Sequence, residues 1–559
     1  MKKELFPNKH SVVLTLVMGV IFSSCNEWLT LTPEDSTIEE EFWRNGNQVE
    51  SVVRACYRYM QEDDFMQRIV LWGELRSDEV CNGSAITTAE RDIVEANARA
   101  SNSLCSWAPF YEVINYCNKV IEYAPGVMER DANFRPVTCD AYLAEAYTIR
   151  AMCYFWLIRT FRDVPLVTES SDSDERNYNV SNRDTLGWMT FYHIDGDKMS
   201  FSSQQYPQVN QERYVLDNII NDLTAAIALA TDIWDTDAET KGRVTRPAVR
   251  ALLADCLLWR ASITAFTDQE QAKKDYEAVV GQCNLALQDC EELEMSLVEG
   301  SNLLRDVFYT GNSEESIFEL NFTTSGHANN ATASIYGNSV KSTNAHIGAA
   351  VGLSELFNQN AVADNGSYDC RSKDFFNAAN NSIFKYEGQT PPSDFEEGSY
   401  TYRAASSQAN WIFYRLPDIY LIKAEALAEL AMTAADADAV VALCNRTYIR
   451  ACTANGETKD SLDHSAYAST SDLRRLVLAE RARELMFEGK RWFDLLRLVR
   501  RSQNVADGWD YIESKYDEDV TTIRNKMSSI DAWYLPISLD EMKINTELTQ
   551  NDYYGSQNE

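Results

Sequence analysis

The chain has 559 residues, of which 45% are hydrophobic, and it carries a formal net charge of −34 at pH 7. Such a negative charge argues against nucleic acid or anionic membrane surface as partner, because both are negative themselves. Neutral ligands and cationic partners remain compatible with this charge. The length suffices for a large core and for two or three ordinary domains.

The first residues have the layout of a secretory signal peptide. Three lysines precede an uncharged, mostly apolar run (residues 11–22), which Ser23, Ser24 and Cys25 follow. This run is too short for a bilayer core of about 30 Å at a helical rise of about 1.5 Å per residue. We predict that residues 1–24 are a lipoprotein signal peptide and that Cys25 carries lipid, which anchors the mature chain to a membrane. The alternative is an ordinary signal peptide with a chance cysteine.

The remaining twelve of the thirteen cysteines are an even number, which permits disulfides in an exported chain. Cys283 and Cys290, and likewise Cys444 and Cys452, are too far apart along predicted helices to pair, at a rise of about 10–12 Å. The sequence contains no CxxC, no HExxH and no DxDxDG calcium loop. We therefore predict no metal site and no cofactor.

The dominant pattern of the first half of the chain is an apolar stripe with a 3.6-residue period, which is typical of amphipathic helices. Thr245 is a predicted N-cap, and Pro247 suits the first turn that follows it. The predicted helices cover about residues 37–60, 107–123, 139–161, 217–230, 248–261 and 271–289.

The second half adds predicted helices over about 418–431, 433–452 and 471–500. Two stretches, 170–212 and 321–410, are rich in Ser, Thr, Asn and Gly, and we expect loops with short strands there. Paired, Ala-rich helices are typical of degenerate TPR-like repeats. The predicted fold is all-α, a scaffold of TPR-like helical pairs with a loop-rich irregular region that holds few short strands.

Several stretches, in order along the chain, carry a family resemblance. They are RAMCYFWL (150–157) with DVPL (163–166), YRLPDIYLIKAEA (414–426), LAERARELMFEGKRWFDLLR (478–497) and WYLPI (533–537). Together they resemble the SusD/RagB family over almost the whole mature length. The resemblance implies one SusD-like domain, with an N-terminal helical part (25–320) and a loop-rich and C-terminal helical part (321–559).

The most specific of these stretches also has a structural interpretation. Glu488 with Arg491, and Lys490 with Asp494, are spaced to pair on the surface of one helix. Gly489 in mid-helix would cost about 1 kcal/mol relative to Ala, which predicts a bend or close packing there. Trp492 and Leu495 are expected on the buried face. We therefore interpret this motif as a signature of the fold and not of catalysis.

The resemblance implies a glycan-binding lipoprotein on the outside of the outer membrane, which captures oligosaccharide or polysaccharide and delivers it to a SusC-like TonB-dependent transporter. No enzymatic activity is expected. A glycoside hydrolase would need two carboxylates about 5–9.5 Å apart, but 85 acidic residues make such proximity uninformative. Two alternatives stay open: a RagB-like lipoprotein that takes up peptides, and a helical scaffold lipoprotein that binds proteins alone.

A glycan site combines aromatic faces, which stack on sugar rings, with polar side chains that bind hydroxyls. The resemblance places such residues in the loops after the first helix and after the third repeat. The alternative for Trp72 is a core position, and for Arg76 and Asp78 a local salt bridge. The predicted ligand-binding residues are Trp72, Arg76, Asp78, Trp188, Tyr336, His346 and Trp411, with Tyr192 as a further loop aromatic.

Overall fold

The computed structural model describes most of the chain. For residues 188–195, 198–205, 362–363 and 366–367 the backbone alone is described. The described residues are 42–171, 180–183, 188–195, 198–205, 210–323, 327–337, 344–357, 362–363, 366–389, 402–403, 408–431, 433–454, 456–516 and 520–555.

Helices dominate these residues. In chain order the α-helices are α1 (Gly46–Met60), α2 (Asp63–Glu74), α3 (Thr88–Val94), α4 (Ala108–Arg130), α5 (Pro136–Phe161), α6 (Gln211–Leu229), α7 (Asp237–Gly242), α8 (Arg246–Thr264), α9 (Gln269–Glu292), α10 (Asn330–Tyr336), α11 (Arg371–Asp374), α12 (Leu416–Leu430), α13 (Ala434–Ala451), α14 (Thr470–Leu485), α15 (Arg491–Ser502), α16 (Val505–Ile512), α17 (Val520–Lys526), α18 (Leu539–Ile544) and α19 (Asp552–Gly555).

The strands are short and form two-stranded antiparallel pairs within the described residues. They are β1 (Val80–Asn82), β2 (Trp188–Asp195), β3 (Lys198–Gln205), β4 (Ser316–Leu320), β5 (Ile347–Ala349), β6 (Val362–Ala363), β7 (Gly366–Ser367), β8 (Phe376–Asn377), β9 (Ser382–Ile383), β10 (Trp411–Arg415), β11 (Thr453–Ala454) and β12 (Glu457–Thr458). The pairs β1–β5 and β4–β10 join segments that are far apart in sequence.

Long helices pack on their neighbours in the chain, α4 on α5, α5 on α6, α8 on α9 and α12 on α13. Helix α9 also packs on α12, which links the two halves of the chain. One hydrophobic core runs from α1 to the C-terminal segments, and a smaller cluster lies among α12, α13 and α14. The predicted all-α fold with TPR-like helical pairs and few short strands is confirmed.

The first predicted helix is interrupted at residues 43–45, and α1 begins at Gly46. Asn45 has extended backbone and caps α1, because its side chain accepts from the Gln48 N–H while the Gln48 side chain accepts from the backbone of Asn45. The prediction of one unbroken helix from residue 37 was therefore wrong. The N-cap predicted at Thr245 is confirmed for α8, with Pro247 in the first turn.

The predicted helix over 471–500 is in fact two helices, α14 and α15, joined by a tight turn. Gly489 lies in this turn with φ +70°, a conformation that favours glycine. Its carbonyl oxygen packs so closely on α2 that a Cβ at Gly73 would lie 1.9 Å from it. The surface pairs predicted on one helix are wrong as well, because Arg491 binds Asp78 and Lys490 binds Asp418.

A fully buried ion network surrounds this turn. Glu484 binds Arg371, Arg415 and Arg450, while Glu488 binds Lys385 and Arg415. The members are five cations and five carboxylates, Arg371, Lys385, Arg415, Arg450, Arg483, Glu315, Asp369, Glu480, Glu484 and Glu488. Most of the acidic members belong to the family stretch 478–497, so these charges have a structural role, as predicted.

Asp494 is a second buried carboxylate whose charge the fold depends on. Burial alone would raise its pKa, but Arg481 and Arg497 outweigh burial and hold the pKa at about 2. Because this pKa is below the usual aspartate value of about 3.9, the ion pairs contribute their full stabilisation at pH values above about 3.9. Their contribution is lost as the pH falls through about 2.

We therefore expect the stability difference between the wild type and Asp494→Asn to shrink by about 2–3 kcal/mol between pH 6 and pH 2. Urea unfolding at a series of pH values measures this difference. Asp306→Asn, in the exposed pair with Arg305, is the control and should change the stability by no more than about 1 kcal/mol. A constant difference for Asp494→Asn would contradict the assigned pKa.

The described part of the chain holds twelve cysteines, all as free thiols. Cys283, Cys290, Cys444 and Cys452 are buried in helical packing. Among the described helices, none combines the length and the apolar character that crossing a bilayer requires.

Candidate functional site

The two segments predicted to hold the ligand lie side by side. Strand β1, which follows α2, pairs antiparallel with β5, with Val80 opposite Ala349 and Asn82 opposite Ile347. Beyond the strands, the Gly83 N–H donates to the carbonyl of His346 at 2.8 Å. Loops about 260 residues apart in sequence thus form one surface.

The three predicted aromatic platforms whose side chains are described are core residues. Trp72 stacks on Phe110 at 4.9 Å and donates its indole N–H to the carbonyl of Leu104. Tyr336 donates its hydroxyl to the carbonyl of Phe487, and Trp411 stacks on Tyr386. Their exposed fractions are 1–2%, so no ring face is open to a sugar. The assignment of Trp72, Tyr336 and Trp411 as stacking platforms needs correction.

The predicted polar residues Arg76 and Asp78 are also engaged within the protein. Arg76 is buried with its guanidinium 4.2 Å from the Trp492 ring centre, and it donates to the carbonyl of Trp533. Both oxygens of Asp78 accept from Arg491 at 2.7 Å. Arg76 therefore links two of the family stretches, and Asp78 holds the start of α15. The alternative of a salt bridge is therefore correct for Asp78, although its partner Arg491 is distant in sequence and not local.

His346 remains partly exposed and holds three elements together. Its Nδ1 donates to Glu90 Oε1 on α3 at 2.7 Å, and its Nε2 lies 3.0 Å from the Ser334 hydroxyl on α10. Burial would raise the pKa of Glu90, but hydrogen bonds from His346 and Thr87 lower it below its usual value. The ionised Glu90 thus fixes the His346 ring at the edge of the β1–β5 surface.

A polar hollow of about 230 Å³ opens beside β1. We call it the amide hollow, since two exposed asparagines, Asn82 and Asn97, lie on its rim. Lys526 donates to the Asn97 side chain and to the carbonyl of Glu95. Its lining residues are Cys81, Asn82, Val94, Glu95, Asn97, Lys515, Tyr516, Thr522, Ile523 and Lys526.

Lys515 connects the amide hollow to the segment that follows α2. Its ammonium donates to the carbonyls of Leu75 and Ser77, and burial lowers its pKa to about 8. The predicted segment 72–78 ends before Asn82 and Asn97, so the sequence gave no signal for these asparagines, nor for Lys515 or Lys526. These lysines come from a part of the chain some 430 residues further on, which only folding brings near.

A second concave region, of about 320 Å³, lies where α4 starts. Trp107, Tyr111, Asn115, Glu541 and Ile544 are among its lining residues. The Trp107 ring is almost fully covered, whereas Ile544 is 69% exposed. The exposed surface of this region is mainly apolar although several polar residues line it, so the more polar amide hollow is the better candidate for binding sugar hydroxyls.

Three predicted positions cannot be placed in a site. Trp188 and Tyr192 lie in β2, opposite Gln205 and Phe201 of β3, but their side chains are outside the description. Cys25 lies outside the described residues. Within the residues that are described, no group of three or more His, Cys, Asp and Glu side chains could hold a metal ion.

Comparison with protein families gives two matches that together cover most of the chain. The model of the SusD family matches residues 392–554. A model described as starch-binding associating with outer membrane matches residues 27–258. The chain belongs to the SusD/RagB-like family.

Individual relatives agree with this membership. SusD-like protein P38 of Formosa agariphila is 23% identical over 530 residues, which are 89% of this chain and 92% of that protein. A SusD homologue of Bacteroides thetaiotaomicron has a TM-score of 0.64 at 20% identity, covering 92% of this chain and 99% of that one. A SusD superfamily protein of Bacteroides vulgatus also has a TM-score of 0.64, at 17% identity, covering 92% of this chain and 100% of that one. The structural likenesses show the fold.

Proposed function

We propose that the protein captures an oligosaccharide or polysaccharide at the amide hollow. The observation that carries this proposal is the β1–β5 pairing, which joins the two predicted ligand loops beside a hollow lined by amide, ammonium and hydroxyl groups. Amide and hydroxyl groups can both donate to and accept from sugar hydroxyls, and ammonium groups can donate to them. The family model described as starch-binding supports a glycan as the ligand class.

The proposal includes the cellular setting. The lipid on Cys25 would hold the protein at the outer membrane, facing the exterior, and the bound glycan would pass to a SusC-like TonB-dependent transporter. The family description of association with the outer membrane supports the location.

Asn82→Ala and Asn97→Ala are expected to weaken glycan binding at least about fivefold, since each removes side-chain hydrogen bonds to the ligand. The measurement is affinity gel electrophoresis of the chain that lacks residues 1–25, run through a panel of soluble polysaccharides. The wild type should be retarded by one polysaccharide class. Both asparagines are exposed, so the melting temperature should hardly change.

Asn47→Ala is the matched control, because Asn47 is an exposed asparagine on α1, outside the lining of the amide hollow. It should leave the retardation unchanged. Retardation that survives both hollow substitutions would place the glycan elsewhere on the protein. Binding of short peptides without any glycan would favour the RagB-like alternative, and a lack of both would leave the scaffold role.

A further inference from the structure

A larger concavity shares no lining residue with the amide hollow. It has a volume of about 1010 Å³ and is lined by residues of α9, α12, α14, α15 and α16. We call it the arginine cleft, since Arg474, Arg475 and Arg501 line it. Ligand sites of drug-sized molecules have about 300–1,000 Å³, so this cleft can accept several sugar rings.

The charges that line the arginine cleft differ from those of the whole chain. Its cations are Lys273, Arg474, Arg475 and Arg501, and its acids are Glu429, Asp507 and Asp510. Among the lining residues cations exceed acids, four to three, whereas the whole chain has 51 Lys and Arg against 85 Asp and Glu. Two acids outside the lining also pair with it, since Asp472 binds Arg475 at 2.5 Å and Glu277 lies 3.9 Å from Lys273.

Part of the excess comes from a chain of ion pairs that leads from the interior to the cleft. Arg501 and Arg474 share the carboxylate of Glu429 at 2.7 and 2.5 Å. The full order is Arg481, Asp494, Arg497, Glu425, Arg501, Glu429 and Arg474. Four guanidinium groups thus alternate with three carboxylates. The last one, on Arg474, is 42% exposed at the cleft.

An independent observation concerns Tyr276, which also lines the arginine cleft. Tyr276 is 5% exposed, and its hydroxyl has no hydrogen-bond partner among the described residues. Burial, and then the nearby charge of Glu429, raise the pKa of this hydroxyl, so it stays protonated and can donate. A buried hydroxyl without a partner destabilises a protein, and an acceptor on a bound ligand would remove this cost.

We propose that the arginine cleft binds the carboxylate or sulfate groups of an acidic saccharide. The saccharide part of this inference rests on the proposed function, whereas the anion part rests on the cleft alone. Arg474 and Arg475 stay partly exposed beside their pairs with Glu429 and Asp472, so their remaining N–H groups can donate to such oxyanions. The Tyr276 hydroxyl donates to the same ligand. The exposed ammonium of Lys273 adds a charge that attracts the anion from solution.

The test is isothermal titration calorimetry of the chain that lacks residues 1–25. The probes are an oligogalacturonate and its carboxyl-reduced neutral form, and a sulfated galactan oligosaccharide and its desulfated form. The acidic member of one pair should bind and its neutral counterpart should bind at least about tenfold more weakly. The affinity should fall as NaCl increases, because salt screens the exposed charges.

Tyr276→Phe separates a ligand-binding role from a structural one. It should weaken binding of the acidic probe at least about fivefold without lowering the melting temperature, because it removes an unpartnered hydroxyl. Lys273→Gln should weaken binding as well. The matched control is Lys274→Gln, since Lys274 is equally exposed on α9 but pairs with Glu270 outside the cleft lining, and it should bind like the wild type.

Equal affinity for acidic and neutral probes would overturn the inference, and so would acidic binding that Tyr276→Phe and Lys273→Gln leave unchanged. Neutral glycan binding that depends on Asn82 and Asn97, with no binding of either acidic probe, would overturn it while the proposed function stands. If an acidic peptide binds in a Tyr276-dependent way and no saccharide does, the saccharide assignment and the proposed function both fail.

Discussion

Glu484→Gln is expected to lower the free energy of unfolding by about 3–5 kcal/mol. The Glu484 carboxylate accepts from Arg415, Arg450 and Arg371, and all four side chains are buried. Burial would raise its pKa, but these three arginines hold it well below the usual range, so the group is ionised. The amide of Gln leaves a net positive charge in a place that water does not reach.

Urea unfolding followed by circular dichroism measures this loss. Glu50→Gln is the control, because the Glu50–Arg54 pair lies on the surface of α1, and such pairs contribute only about 0–1 kcal/mol. The double variant Glu484→Gln with Arg450→Met should lose less than the sum of the two single variants, since the residues are direct partners. A loss below about 1 kcal/mol for Glu484→Gln would contradict the ion network.

Gly73→Ala is expected to cost at least about 3 kcal/mol, as severe overpacking does. A Cβ at Gly73 would lie 1.9 Å from the carbonyl oxygen of Gly489 and 2.3 Å from its carbonyl carbon. Both contacts are to backbone, so no side-chain rotation can relieve them. Helix α2 would have to move away from the turn between α14 and α15, and the hydrogen bond from the Gly489 N–H to Glu74 would be strained.

The matched control is Gly281→Ala in the middle of α9, where an added Cβ meets no atom within 4 Å. Alanine is the better helix former there and should stabilise the protein by about 0.5–1 kcal/mol. The two substitutions are chemically identical and should therefore shift the urea midpoint in opposite directions. If Gly73→Ala left the midpoint unchanged, the close contact between α2 and the turn would be refuted.

The candidate site could be predicted from the sequence only as a pair of loop segments. The prediction placed the ligand near residues 72–78 and 327–346, and the structure brings the ends of these segments together through β1 and β5. The choice of Trp72 and Tyr336 within these segments, and of Trp411 outside them, as stacking platforms was wrong, because all three rings are buried. A large aromatic residue in an irregular segment has no periodicity that tells a buried ring from an exposed one, so burial there depends on the neighbours that folding supplies.

The helices, the all-α class and the family were determined by the sequence itself. Apolar residues at helical spacing and a first-turn proline such as Pro247 act over one or two turns, and a local pattern suffices to find them. The tertiary structure alone decided which charges pair and where a helix is broken. Arg371 meets Glu484 across 113 residues, and Gly489 interrupts a helical pattern because α2 passes against its backbone. Ion pairs and close approaches of this kind depend on distances in space, which no local stretch of sequence records.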